Sequence, residues 1–97
     1  MSALDRLESL LTRQDVLPEQ AKGALWVSID EAAHQTADEM IALEERMSAL
    51  RDWLDVRRGS DAAAKHRPAF DRQVALHARY GEALERYFGR LSGGGPY

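Results

Sequence analysis

At 97 residues and a net charge of −3, the chain is one domain at most, and a small one that buries only a modest share of its surface when alone. Its 44% hydrophobic and 30% charged residues exclude wholesale disorder, and the absence of cysteine excludes a disulfide framework, a zinc ribbon and thiol catalysis. Charge is divided unevenly: residues 1–60 hold 7 Lys/Arg against 12 Asp/Glu, whereas residues 61–97 hold 6 against 4. The acidic first part argues against nucleic acid as a partner, and the asymmetry points to two halves, or two copies, that meet.

The first predicted helix carries Leu4, Leu7, Leu10 and Leu11 at the 3–4 spacing of one helix face. It should stop near Gln14, where Asp15 and Pro18 bring cap and first-turn signals for the next helix. The acids inside "MSALDRLESLL" rule out a secretory signal, no apolar run approaches a membrane span, and a cytoplasmic setting is expected.

A long second helix comes next, with Leu25, Ile29, Ala32, Thr36, Met40, Leu43, Met47, Leu50 and Leu54 as a heptad seam. The apolar period passes through the capping-box pattern at Ser28 without a phase jump, which favours one continuous helix from about Pro18 to Val56 over a start at Ser28. "RRGSD" is a turn, with Gly59 suited to a left-handed cap and Ser60 or Asp61 to the next N-cap. The third helix repeats Phe70, Val74, His77, Gly81, Leu84, Phe88 and Leu91 in heptad phase, with its regular part predicted to begin at Pro68. Leu76, Tyr80, Ala83 and Tyr87 widen its apolar stripe to roughly half the helix, more than one neighbour covers. Gly81 in mid-helix suggests a close approach by Met40 or Leu43. The expected fold is all-α: a long antiparallel helical hairpin with a short N-terminal helix over residues 1–91, completed by oligomerisation, with a flexible Gly-rich tail at 92–97.

Three sets of residues carry functional readings. Glu31 and His34 spell the Glu-x-x-His unit of di-iron helical bundles, and Glu82 or Glu85 of the third helix would complete an inter-chain site. On a helical wheel, however, both lie on the order of 130–170° from the seam, so the preferred reading is a solvated face, with no metal and no cofactor. Glu31, Asp38, Glu45 and Asp52 form an acidic column of period seven, and Lys65, Arg72, Arg79 and Arg86 a basic one. Matched across two molecules, such columns set register, because exposed pairs contribute only about 0–1 kcal/mol each. Trp26 and Trp53, with Leu76, Tyr80 and Tyr87, are the candidate apolar anchors of a contact, and Arg72, Arg79 and Arg86 its candidate charges. No Gly-rich phosphate loop and no Ser/His/Asp spacing supports catalysis. The sequence therefore reads as a non-catalytic interaction module (adaptor, small chaperone or inhibitor) that binds another protein and self-associates; the alternative is a ferritin-like metal-binding half-bundle.

Overall fold

Ser2 opens the first helix, its hydroxyl accepting the Asp5 backbone N–H at 3.1 Å. The computed structural model describes residues 2–92, and the expected tail beyond Ser92 lies outside them. Helix α1 spans Ala3–Asp15, a 3₁₀ segment Glu19–Leu25, α2 Trp26–Val56 and α3 Asp61–Ser92, with no strand among the described residues. The molecule is elongated, 58 × 21 × 19 Å.

The second helix is not continuous from Pro18, nor does it begin at Ser28. Pro18 is extended, with ψ of 152°, and the chain then winds as a tighter 3₁₀ helix until Trp26. Gly23, a poor α-helix former, sits in that segment. The Gln14 amide donates to the Lys22 carbonyl at 3.1 Å and ties the segment back to α1. From Trp26 on the seam behaves as its spacing requires: every member from Ile29 to Leu54 is buried or half-buried.

Gly59 takes φ of +82°, the left-handed conformation that ends α2, and the Ser60 hydroxyl accepts the Ala63 N–H at 3.1 Å to start α3. Regular helix thus begins at Asp61, not at Pro68, which is accommodated inside it. The cap and the Ala62–Ala64 run, all strong helix formers, outweigh the hydrogen bond that the proline removes.

The phase of α3 also differs from the heptad count. Val74 and Phe88 are 46% and 57% exposed, whereas Tyr80, Ala83, Leu84 and Tyr87 are buried. The helix is turned so that its tyrosine edge faces the interior, because α1 fills the angle between α2 and α3 there. Leu4, Leu7, Leu10 and Leu11 of α1 join Ile29, Ala32, Ala33, Leu43, Ala83 and Tyr87 in one core. A Cβ at Gly81 would meet nothing within 4 Å, so no side chain among the described residues approaches it.

Contacts pair Asp30 with Tyr87, Glu39 with Tyr80, Glu44 with His77 and Trp53 with His66, numbers rising on α2 as they fall on α3. α1 covers only the end of this pair remote from the turn. Its 13 residues are about 20 Å long, against about 46 Å for the 31 of α2.

Gly81→Ala is expected to raise stability by about 0.5–1 kcal/mol in urea denaturation, because the added methyl favours helix and meets no neighbour. Leu7→Ala, at a fully buried position, is expected to cost about 2–5 kcal/mol. A loss of stability in Gly81→Ala would contradict the open space at that position.

Candidate functional site

Arg79 is the centre of the edge where α3 meets α1. Its guanidinium reaches Asp5 at 3.1 Å and Glu8 at 2.6 Å. One turn and three residues on, Arg86 lies 3.5 Å from Asp15. Arg90 then closes the end of α1, donating to the Gln14 side chain at 2.9 Å, the Leu11 carbonyl at 3.2 Å and the Asp15 carboxylate. The Arg79 guanidinium, and next to it Ser2, hold the Asp5 carboxyl below its usual range, and Glu8 and then Asp5 raise Arg79 in turn. The basic column of α3 therefore meets carboxylates of its own α1 over half its length, and the acidic column of α2 is not its partner there. Glu31 faces Arg6 at 3.7 Å instead.

The other end of α1 is marked by Glu39. One oxygen accepts the Ala3 backbone N–H at 3.2 Å and the other the Tyr80 hydroxyl at 3.1 Å, placing a negative charge at the helix N-terminus. Burial, reinforced by Glu39, keeps the Tyr80 phenol protonated above its ordinary range. Seven and fourteen residues further along α2, on the same side, stand Arg46 and Trp53. Here none of the described residues covers the α2–α3 pair, and Arg46, Ala49, Leu50, Trp53 and His66 line an open groove. The Trp53 ring lies under the Arg57 guanidinium at 4.2 Å and edge-on to His66 at 4.9 Å.

A second uncovered surface lies on the side of the pair turned away from α1. On α3 the positions opposite Arg79 and Arg86 are Val74, Gly81 and Phe88, and on α2 the position opposite Glu39 is Ile41. Ile41 is 52% exposed, and with the exposed Val74 and Phe88 it gives this side an apolar character. His77 and Glu44, 2.9 Å apart, cross the same side.

The anchors named from the sequence are thus split. Trp26, Tyr80 and Tyr87 are each 7% exposed and belong to the chain's own core, Trp26 packing on Tyr87 with ring centroids 6.4 Å apart. Leu76 is half-buried against that core, and Trp53 is half-buried in the open groove. Arg79 and Arg86 hold α1, and Arg72 stands beyond it. The metal candidates do not converge: His34 Nδ1 lies 2.7 Å from the Asp30 carbonyl, Glu31 faces Arg6, and Glu82 and Glu85 are on the exposed side of α3. Among the described residues, no three His, Cys, Asp or Glu side chains are grouped to hold a metal ion, and no helix is long and apolar enough to cross a membrane. The pairing of Gln14 with Arg90 was not visible in the sequence. The available signal was phase: Gln14 continues the Leu4–Leu7–Leu11 spacing, and Arg90 lies one turn beyond Arg86.

Arg79→Glu is expected to loosen α1 selectively, with several-fold faster hydrogen exchange at Leu7–Gln14 and unchanged exchange at Leu43–Leu54. Because the Asp5 carboxyl is depressed in the fold, its contribution is complete above about pH 5 and is lost as pH falls through the lowered value, below the ordinary ~3.9. Exchange of the α1 amides should accordingly begin to accelerate in acid only below that range, and Asp5→Asn should remove this acid dependence. No family model, characterised protein or solved structure matches the chain.

Proposed function

We propose that the chain is a non-catalytic protein–protein interaction module of the adaptor, small-chaperone or inhibitor kind, working in the cytoplasm. Its α2–α3 pair is read as an antiparallel hairpin, steadied at one end by α1, that self-associates through the side turned away from α1. The opposed numbering of the α2 and α3 contacts supports the hairpin.

The exposed side chains of Ile41, Val74 and Phe88 carry the self-association. Fully burying a side chain of this size contributes about 1.5–3 kcal/mol, and in a two-fold interface each one counts twice. Gly81 lies among them with open space where a Cβ would be, so no bulky side chain stands at the centre of the patch. The His77–Glu44 pair sets a polar mark within the patch and gives it a preferred orientation.

Sedimentation velocity at micromolar concentration should show more than one chain per particle. The Ile41→Asp/Phe88→Ser double variant should sediment as a single chain of about 11 kDa with unchanged helix content. A folded wild-type chain that stays single at about 100 µM would sink the self-association; at that concentration a contact worth about 5.5 kcal/mol is half-formed. Elemental analysis of the purified protein is expected to find no stoichiometric iron, zinc or manganese. About one metal per chain, lost in His34→Ala, would establish the half-bundle alternative instead.

A further inference from the structure

α1 ends at Glu39, but the track it lies on does not. Beyond that point α2 runs on to Val56, a further ~25 Å at 1.5 Å per residue, which is room for a helix as long as α1. The features that hold α1 in the covered half have counterparts in the open half at intervals of seven. On α3 the column that reads Arg86 and Arg79 under α1 continues as Arg72 and Lys65. On α2 the column that reads Glu39 continues as Arg46 and Trp53. Between the two columns lie Met47, Leu50 and Leu76, all half-buried, where a covering helix would find apolar side chains. The difference is in the charges. Arg79 and Arg86 have α1 carboxylates beside them, whereas Arg46, Lys65 and Arg72 have no carboxylate within 4.0 Å among the described residues.

We infer that the open half of the α2–α3 track, floored by Leu50 and Trp53 and edged by Arg46, Lys65 and Arg72, docks an acidic amphipathic helix of another protein end to end with α1. The occupant presents a leucine-type stripe to the floor and carboxylates to Arg72 and Lys65, as α1 presents Leu4, Leu7 and Leu11 to the core and Asp5 and Glu8 to Arg79. Charge speaks against a second copy of this chain joined groove to groove. A two-fold interface would set Arg46, Lys65 and Arg72 of one chain against the same residues of the other. Exposed charge pairs add little affinity, so the floor supplies the binding and the basic edge selects the partner. The inference rests on the reading of the chain as an interaction module, but it uses the side opposite to the self-association surface.

The probe is a labelled synthetic peptide of residues 2–15, the helix that occupies the covered half of the track, titrated with the full chain and monitored by fluorescence anisotropy. A second peptide carries Asp5→Asn, Glu8→Gln and Asp15→Asn. The acidic peptide should bind saturably, at least fivefold more tightly than the amide peptide, and more tightly at low than at physiological salt. Lys65→Glu/Arg72→Glu should weaken it at least fivefold while leaving helix content and α1 hydrogen exchange unchanged, since both side chains are exposed. Equal binding of the two peptides, or equal binding by the double variant, overturns the inference; the latter places the peptide elsewhere, exchange with α1 included. Loss of self-association in Lys65→Glu/Arg72→Glu also overturns it, because the occupant is then a second copy. The Ile41→Asp/Phe88→Ser chain separates the two faces: undiminished peptide binding there supports this site whatever the state of self-association, and lost binding refutes it.

Discussion

The packing of Leu4, Leu7 and Leu11 against the α2–α3 pair is the interaction on which the remaining arrangement depends. It buries three leucines to 1% exposure or less, against Ile29, Ala32, Ala33, Thr36 and Ala83. The small residues in that set let α1 come close, and the Thr36 hydroxyl is satisfied within its own helix by the Ala32 carbonyl at 2.6 Å. At about 1.5–3 kcal/mol per buried leucine against about 0–1 for an exposed ion pair, the leucines hold α1 in place and the arginines choose its position. Arg79, with its side chain 48% exposed, is a register mark rather than a source of stability. Arg90, more enclosed and bonded to Leu11, Gln14 and Asp15, fixes where α1 ends.

The direction in which α3 turns is a consequence of that packing, and it was the least legible feature of the sequence. The heptad of α3 runs through Phe70, Val74, His77, Gly81, Leu84, Phe88 and Leu91, and the spacing of Leu76, Tyr80, Ala83 and Tyr87 beside it is as regular; of the heptad, Leu84 is buried and only Val74 and Phe88 are exposed. The tyrosines won because their hydroxyls reach carboxylates at the rim, Tyr80 to Glu39 and Tyr87 to Asp30 at 2.7 Å, while their rings stay inside. A tertiary pairing of that kind leaves no periodic trace. The α1 stripe and the α2 seam from Ile29 to Leu54, by contrast, were legible from their spacing, although the buried Trp26 and Ala33 beside the seam were not. The charge columns were legible as columns but not as contacts. Asp5, Glu8 and Asp15 look like the solvated side of α1 until α3 is seen to run beside them.

A half-turn-wide stripe on α3 means that turning one edge inward leaves the other outward. The exposed Val74 and Phe88 are thus a consequence of the way α1 docks, not an independent defect of the surface. The same holds at the far end, where a short α1 leaves Leu50 and Trp53 only half covered. Surplus apolar surface remains on two sides of an elongated molecule, and the two sides differ in chemistry. The side away from α1 exposes Ile41, Val74 and Phe88 around a His–carboxylate pair; the uncovered track is apolar between basic edges. Surfaces so different would suit different partners, so the self-association and the helix docking proposed above would not compete.

The polarity of the track also bears on which way the proposed helix would lie on it. α1 sets its N-terminus on Glu39, where a carboxylate meets the positive end of the helix dipole. At the equivalent heptad position in the open half stands Arg46, which repels an N-terminus and attracts the carbonyls of a C-terminus. On the docking proposed above, a helix with its C-terminal half beside Arg46 would run in the same direction as α1. The chain's own α1, shifted along by one register, would lose Glu39 at one end and Arg90 at the other. Those two polar latches hold α1 to the covered half and work against its exchange between chains, a head-to-tail contact that would propagate into filaments rather than close. Charge at the two ends of one short helix thus separates the folded element from the docking site proposed on the same track.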